Sequence, residues 1–529
     1  MYLSKHDLLQ MDDEWLKKLP AERLLEVSKR LLHDVKALQD RQNQTPNNSS
    51  RPPGSQAPWE RSASSGESIQ ETEAGSAENR AKRAGEAKSA PPETSTRAEK
   101  PASDGQDKKS GKKRGKQPGS PGHGRTQKLM VTDTLDHHPE YCAACGMPMT
   151  VGSGAAVYTA WDEIDIAPLV EGEIGLRLSV TRHLLHEGNC VSCGHDSRAQ
   201  TWRAPADGLW DQVELGQWRL VGPRLAGMIV LLSLRMRLSR ARIRELLIEL
   251  FDLHLSTGVI DQTIRELGRA SAPLEESLVA DIQQAAQVHI DETPWPESGV
   301  LQWLWVLVST HTALYLIGPR SREMVENVLE NLFVGTLVSD GYRVYRHWKD
   351  RLRCWPHLLR KLRGLAESSD ARVAGVGQEM EIIMKTLMAA IYEARATPPP
   401  VPLTQHHRVD IERLRQLCES HQGDTHDTLG QVAREFLYDW DVILRPVAEP
   451  NLPLSNNAAE QALRHWVISR RISHGTRSSS GSRAYALLAS VIETCRRRGA
   501  SSWQYLGTVA AAARQGLPLP VLPAIPRGV

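Results

Sequence analysis

Two aspartates are the first residues in this sequence whose type and placement could do chemistry. Asp291 lies in HIDETPW and Asp340 in VSDGYRVY, and each closes an apolar run that reads as a strand. Adjacent strand ends can bring such carboxylates together. Bare carboxylates that close repel each other, and a divalent cation removes the penalty. With a third acid the cluster could hold two Mg2+ ions roughly 4 Å apart, the arrangement that activates a water or a 3′-hydroxyl in phosphodiester transfer. Each aspartate also has a plainer reading, because Asp often ends strands and Asp340-Gly341 is turn chemistry. Glu292 follows Asp291, and on a strand it would point to the opposite face. Asp291 is therefore the preferred ligand and Glu292 the second choice.

A third acid sits far downstream in PLSNNAAEQALRHWVISRR, residues 453–471. If Asn457 caps the helix there, Glu460 completes a capping box and needs no catalysis to explain it. The same helix laid across a sheet could instead present Glu460 to the aspartates. Arg464, one turn on, shares its face and could meet a phosphate, orient the acid or simply pair with it.

The cysteines have a separate logic. Cys142 and Cys145, then Cys190 and Cys193, form two C-x-x-C pairs, while Cys354, Cys418 and Cys495 are scattered. Such pairs in a chain that starts without a secretion leader suggest metal thiolates, not disulfides. Four thiolates fit a closed, structural tetrahedral Zn2+ site between two knuckles. His183, His186 and His195 lie nearby as spare candidates.

Basic residues cluster in three places. Lys108–Lys128 holds eight Lys or Arg and no acid, with Lys112, Lys113 and Arg114 at its centre. CWPHLLRKL offers Arg360 and Lys361 behind His357, and ISRRISHGTRSSSGSR offers Arg470, Arg471 and Arg477 among Gly and Ser. Arginines fork onto phosphates and small residues let backbone amides approach them. A solvated linker or loop is the plain alternative at each place.

The elements that must position these groups follow from pattern. A chain of 529 residues exceeds one core. The divisions read as N-terminal helices at 1–43, with an apolar stripe suited to self-association; a disordered linker with the basic tract at 44–129; a four-cysteine zinc module of short strands at 130–205; and a helix-turn-helix-like region at 206–275, with Ser256 as N-cap. Then come three strands, a helix and two strands within 276–364, a helical insertion at 365–450, further helices at 451–510, and a Pro-rich tail at 511–529. No apolar stretch is long enough to span a bilayer, which points to the cytoplasm.

From Asp291 to about Leu506 the chain resembles the transposases of the insertion sequence 66 family. HIDETPW, SDGYRVYRHW, CWPHLLRKL, PLSNNAAEQALR and ISRRISHGTRSSSGSRAYALLASVIETCRRRG carry the likeness, and NNSSRPPGS, GKKRGKQPGSPGHGR and the cysteine pairs extend it upstream. The resemblance implies a multidomain α+β protein whose RNase H-like core is interrupted by a helical insertion and preceded by a zinc module and a helical DNA-binding region. It implies Asp291, Asp340 and Glu460 as a triad holding Mg2+ or Mn2+. It implies 3′-end cleavage and strand transfer on double-stranded DNA by a dimer or larger synaptic assembly in a bacterial nucleoid, with accessory proteins of the same element as further partners. Ser455 and Gln461 depart from the family's usual Asp and Arg at their positions. A non-catalytic or domesticated sequence-specific DNA-binding protein is the alternative, and a nuclease acting on RNA–DNA hybrids is a third reading that the same core could support.

Overall fold

A computed structural model of the chain describes residues 17–44, 48, 127–149, 155–168, 175–205, 207–210, 212–330 and 332–526. The basic tract through Lys112, Lys113 and Arg114 lies outside the described residues. No described helix is long and apolar enough to cross a membrane.

Helix α1 (Ala21–Gln42) has the expected helical period, but much of its apolar stripe faces outward. Leu24, Val35 and Leu38 are exposed. The adjoining side, with Asp34 and Ala37 buried, docks instead. There Asp40 accepts hydrogen bonds from the Ser368 hydroxyl at 2.5 Å and the Ser369 N–H at 2.8 Å.

The cysteine module is a small sheet. β3 (Leu178–Asn189) is central, with β1 (Asp133–His137) parallel to it and β2 (Ala156–Ile166) antiparallel, while β4 (Asp196–Arg198) pairs with its end. Its inner residues Ile164, Ile166 and Val180 join the main core. Four helices follow: α2 (Pro223–Leu234), α3 (Arg240–Phe251), α4 (Thr257–Ala270) and α5 (Leu274–Gln283). Ser239 and Ser256 cap α3 and α4 by accepting the N–H groups of Arg242 and Val259, as short hydroxyl side chains do.

This helical pair does not stand out as a free reading head. Ile260, Thr263, Ile264, Glu266 and Leu267 of α4 are buried. Gly268 lies so close to Ala484 that a Cβ there would come within 2.4 Å of the alanine methyl. Sequence spacing is blind to this, because a packed helical hairpin and a DNA-reading one share caps and period.

The second sheet has the order β7-β6-β5-β8-β9. β5 (Gln287–Glu297), β6 (Val300–Val308) and β7 (Ala313–Gly318) form an antiparallel meander. Helix α6 (Glu323–Leu329) carries the chain across to β8 (Thr336–Ser339), which lies parallel to β5, and β9 (Arg351–Arg353) is parallel to β8. Near-continuous apolar runs such as WLWVLV suit strands buried on both faces.

Helix α7 (Trp355–Ala366) leads into the insertion: α8 (Ala371–Ala396), α9 (Leu403–His406), α10 (Arg408–His421), α11 (Asp427–Tyr438) and α12 (Trp440–Ala448). The insertion and α7 have their own core, from Trp355 to Leu454. Then α13 (Asn457–Ser473), α14 (Ser479–Arg497) and α15 (Ser502–Arg514) return to the core of the second sheet.

The seam between insertion and sheet is ionic. Arg351 and Arg353 of β9 are buried against Asp439, and Arg353 and Lys361 also meet Glu435 of α11. A buried charge is tolerated only when paired, so these contacts fix where the insertion sits. Lys361, expected as a DNA contact, is spent here: its Nζ lies 2.6 and 2.8 Å from the Glu435 carboxylate oxygens.

Candidate active site and metal centres

Asp291 and Asp340 reach one place because β5 and β8 are parallel neighbours in which His289 faces Val338. Both aspartates lie two residues beyond that pair. Residues two apart share a face of a strand, and neighbouring strands lie about 4.8 Å apart, so the two carboxylates emerge side by side. Asp291 does not end its strand, as expected from the sequence, but sits in the middle of β5, which runs on to Glu297 in a hairpin with β6. Asp340 follows the last residue of β8.

Each aspartate uses one oxygen locally. Asp291 Oδ1 accepts the Glu292 N–H at 2.9 Å and Asp340 Oδ1 accepts the Tyr342 N–H at 2.8 Å. The turn role of Asp340 is therefore real and coexists with its place beside Asp291. Burial pushes the Asp291 carboxyl well above the usual carboxylate range, and the charges of Asp340, Glu292 and Glu460 push it further. Three acids from three segments thus act on Asp291 at once.

Glu292 has a partner of its own. Its carboxylate pairs with Arg320 at 2.7 Å and accepts the Tyr345 hydroxyl. Arg320 in turn lies over the Trp303 and Tyr342 rings at 4.3 and 4.0 Å. Only 2% of the Glu292 side chain is exposed, against 38% for Glu460, so Glu460 is the more accessible third acid.

Glu460 is held by an unexpected residue. The cap of α13 is Asn456, not Asn457, and its side chain makes no cap bond. Glu460 is therefore the fourth helical residue, and the capping box does not form. Asn456 is fully buried and turned onto β5 instead. Its Nδ2 donates to the Ile290 carbonyl at 2.7 Å, and its Oδ1 lies 3.2 Å from His289 Nδ1. Its backbone N–H donates to Cys354 Sγ at 3.3 Å. One amide thus registers α13 against the strand that carries Asp291. The paired asparagines were the visible signal, read as a cap.

Arg360 Nη2 and His357 Nδ1 of α7 lie 3.8 and 3.7 Å from Glu460 Oε1. Arg464, expected as a neighbour of Glu460, is exposed one turn along α13. Arg470 is committed inward, donating to Thr293 Oγ1 at 2.8 Å and to the Pro294 carbonyl. Arg471 and Arg477 are exposed. Between them His474 and Gly475 adopt positive φ and end α13. A Cβ on Gly475 would strike the Pro296 carbonyl oxygen at 1.9 Å, so this loop must carry glycine to return to β5.

The four cysteines converge as spaced. Cys142 Sγ lies 3.5 Å from Cys193 Sγ, and Cys145 Sγ lies 3.7 Å from Cys190 Sγ. Four sulfurs each about 2.3 Å from a tetrahedral ion are separated by about 3.8 Å. The N–H groups of Cys145 and Ala144 bring the Cys142 thiol down to about 5 and those of Cys193 and Ser192 lower Cys190, while Cys193, despite the His195 N–H, is pushed up to about 12 by the neighbouring sulfurs in the ion-free cluster. Backbone donors already aimed at sulfur favour thiolate. The cluster is able to coordinate a metal. None of the three nearby histidines joins it: His183 stacks on Trp161 at 3.9 Å, His186 pairs with Asp136 at 2.7 Å, and His195 is exposed.

A mixed α+β chain thus places a metal-competent cysteine cluster ahead of a sheet whose central strands gather acids. Residues 219–484, about half of the chain, match the model described as Transposase IS66 family, and the chain belongs to that family. It is 29% identical over 171 residues to the uncharacterized protein y4jO of Sinorhizobium fredii, covering 32% of this chain and 51% of that one. It is 23% identical over 302 residues to the uncharacterized protein y4qI of the same organism, covering 50% and 55%. The chain spans about half the length of these curated relatives.

Proposed function

We propose that the protein is a transposase that cleaves DNA 3′ ends at the termini of an insertion sequence and transfers them to target DNA. The observation that supports this reading is the placement of Asp291 and Asp340 side by side on the parallel strands β5 and β8, with Glu460 near enough to add its charge to those acting on Asp291. The order β7-β6-β5-β8-β9, with three antiparallel strands followed by two parallel ones, supports an RNase H-like core. In that reading 276–364 and 451–510 are its two parts and 365–450 is the insertion.

Asp291 and Asp340 suit a divalent cation because their carboxylates emerge side by side from parallel neighbours, and Glu460, which also faces Arg360, is the third acid on offer. Asp291, Asp340 and Glu460 would hold Mg2+ or Mn2+. Such ions, when bound, polarise the phosphate, activate water or a 3′-hydroxyl and stabilise the departing oxygen. Asn456 keeps Glu460 in register with β5. Arg360 brings a positive charge to the mouth of the site, where it can meet a phosphate oxygen, while Arg464, Arg471 and Arg477 are placed on the exposed side for backbone contacts. The four cysteines would hold structural Zn2+, as the sulfur spacing supports. Partners in this reading are the inverted-repeat ends, target DNA, a second copy of the chain in a synaptic assembly at the nucleoid, and accessory proteins of the element.

Asp340→Asn tests the reading. The variant is expected to bind an end-bearing duplex like the wild type and to lose metal-dependent cleavage. Cleavage at the wild-type rate refutes the assignment. A wild-type protein that binds but never cuts, in Mg2+ or Mn2+, leaves a DNA-binding protein without catalysis.

A further inference from the structure

Glu460 belongs to a second donor set, one unlike the aspartate pair. Cys354 immediately precedes α7 and His357 lies in its first turn, so a C-x-x-H spacing points both side chains the same way. Glu460 comes from the first turn of α13. One ligand atom from each of the three lies within 4.8 Å of the others.

The histidine is the telling member. His357 Nδ1 is buried and has no hydrogen-bond partner among the described residues. Its 3.7 Å separation from Glu460 Oε1 is too long for a hydrogen bond. It is close to the edge of a tetrahedron around zinc, about 3.4 Å for nitrogen and oxygen ligands. An orphaned buried nitrogen facing a carboxylate across such a gap costs free energy, and an ion between them would satisfy both. The third donor is sulfur, oriented by the Asn456 N–H. Sulfur and imidazole select zinc-like cations, whereas Mg2+ takes oxygen ligands. Arg360, whose guanidinium faces the same Glu460 oxygen, is partly exposed and can swing toward solvent.

We propose that Cys354, His357 and Glu460 form a second zinc site that draws Glu460 away from the aspartate pair, so that zinc restrains the chemistry which Mg2+ supports. Binding stands on this geometry alone. The restraint rests on the reading of Glu460 as a ligand of the catalytic cation.

The full chain is equilibrated with buffered zinc, desalted and its metal counted. Cobalt exchange then reports sulfur ligation through thiolate-to-metal absorption near the ultraviolet edge. The wild type should hold one equivalent beyond the four-cysteine cluster. Cys354→Ser and His357→Gln should each lose that equivalent while keeping the tetrathiolate cobalt spectrum and wild-type hydrogen-exchange protection of β5–β9 and α7, which shows that the region around the site has folded. A wild type that saturates at a single equivalent, or a second equivalent that survives in both variants, overturns the site. In a parallel arm, cleavage in Mg2+ is followed at rising zinc, each protein compared with its own zinc-free rate. Zinc should slow the wild type at least tenfold more than it slows Cys354→Ser. Equal slowing overturns the restraint. If zinc-free wild type does not cleave at all, the proposed function fails and the metal count still decides the site.

Discussion

The cysteine cluster and the carboxylate cluster solve the same task from opposite ends. In the first, each of two turns supplies a pair of ligands three residues apart, and backbone N–H groups of the same turns aim at the sulfurs. In the second, Asp291 comes from mid-strand, Asp340 from the end of a parallel neighbour, and Glu460 from a helix about 170 residues downstream of the first. Local geometry builds the first. Only the packing of β5, β8 and α13, locked by Asn456, builds the second. If both clusters take cations as proposed, the thiol site should fail as a unit when its ion is removed, whereas the acid site should keep its shape and lose only the proposed cleavage.

Four measurements would break or sharpen that contrast. With zinc bound as proposed, Cys190→Ser should unfold the cysteine module, since a structural zinc contributes roughly 10 kcal/mol or more to the folding of such a site. Hydrogen exchange should show β1–β4 unprotected while β5–β9 stay protected. Loss of protection in both sheets would mean the two regions are not independent, as their shared residues Ile164 and Val180 in the main core leave open to test.

Next comes the ionic seam. Asp439→Ala leaves Arg351 and Arg353 buried without their shared partner, at a cost of about 3–5 kcal/mol. Denaturant unfolding should show that loss, and a loss below about 1 kcal/mol would mean the arginines find other partners.

Asn456→Ala should cost about 1–3 kcal/mol for the groups left unsatisfied on β5, the Ile290 carbonyl and the His289 ring nitrogen. It should also slow cleavage by roughly a hundredfold, because a misplacement of about 1 Å near reacting atoms has that effect. A stability loss with full cleavage would show that α13 is registered by other contacts.

The smallest effect is a pH dependence. In cation-free protein the folded Asp291 carboxyl titrates well above its unfolded value, near 3.9, chiefly through burial and then through its acidic neighbours. Its protonated form thus contributes stability that is complete below the unfolded value and lost as pH rises through the raised folded one. Asp291→Asn should melt higher than wild type near neutral pH in chelator, and the gap should close in acid. Mg2+ should narrow it from the other side by stabilising only the wild type. A gap independent of pH and Mg2+ would remove Asp291 from the acid cluster.

Most strands of the second sheet were legible because their apolar runs are long and bounded by turn residues, and the cysteine pairs because their spacing is itself the geometry. The reading of Asp291 as a strand end failed since nothing in HIDETPW marks where pairing with β6 stops. Lys361 looked like a DNA-facing charge because its acid lies 74 residues away, and the pairing of Arg351 and Arg353 with Asp439, 88 and 86 residues on, left no local sign. Arg470 misled for the same reason, as Thr293 and Pro294 are distant in sequence.

The sequence by itself determined the donor types: four thiols in two turns, two aspartates beside apolar runs, an acid early in a downstream helix, and the Ser256 cap that starts α4. These depend on neighbours within a few residues, where covalent spacing and helix or strand period suffice. Tertiary structure alone decided which acid is accessible, which arginines are spent inside, and that Asn456 grips β5 instead of capping α13. Those outcomes depend on desolvation and charge pairing between segments far apart in sequence, which no local pattern encodes.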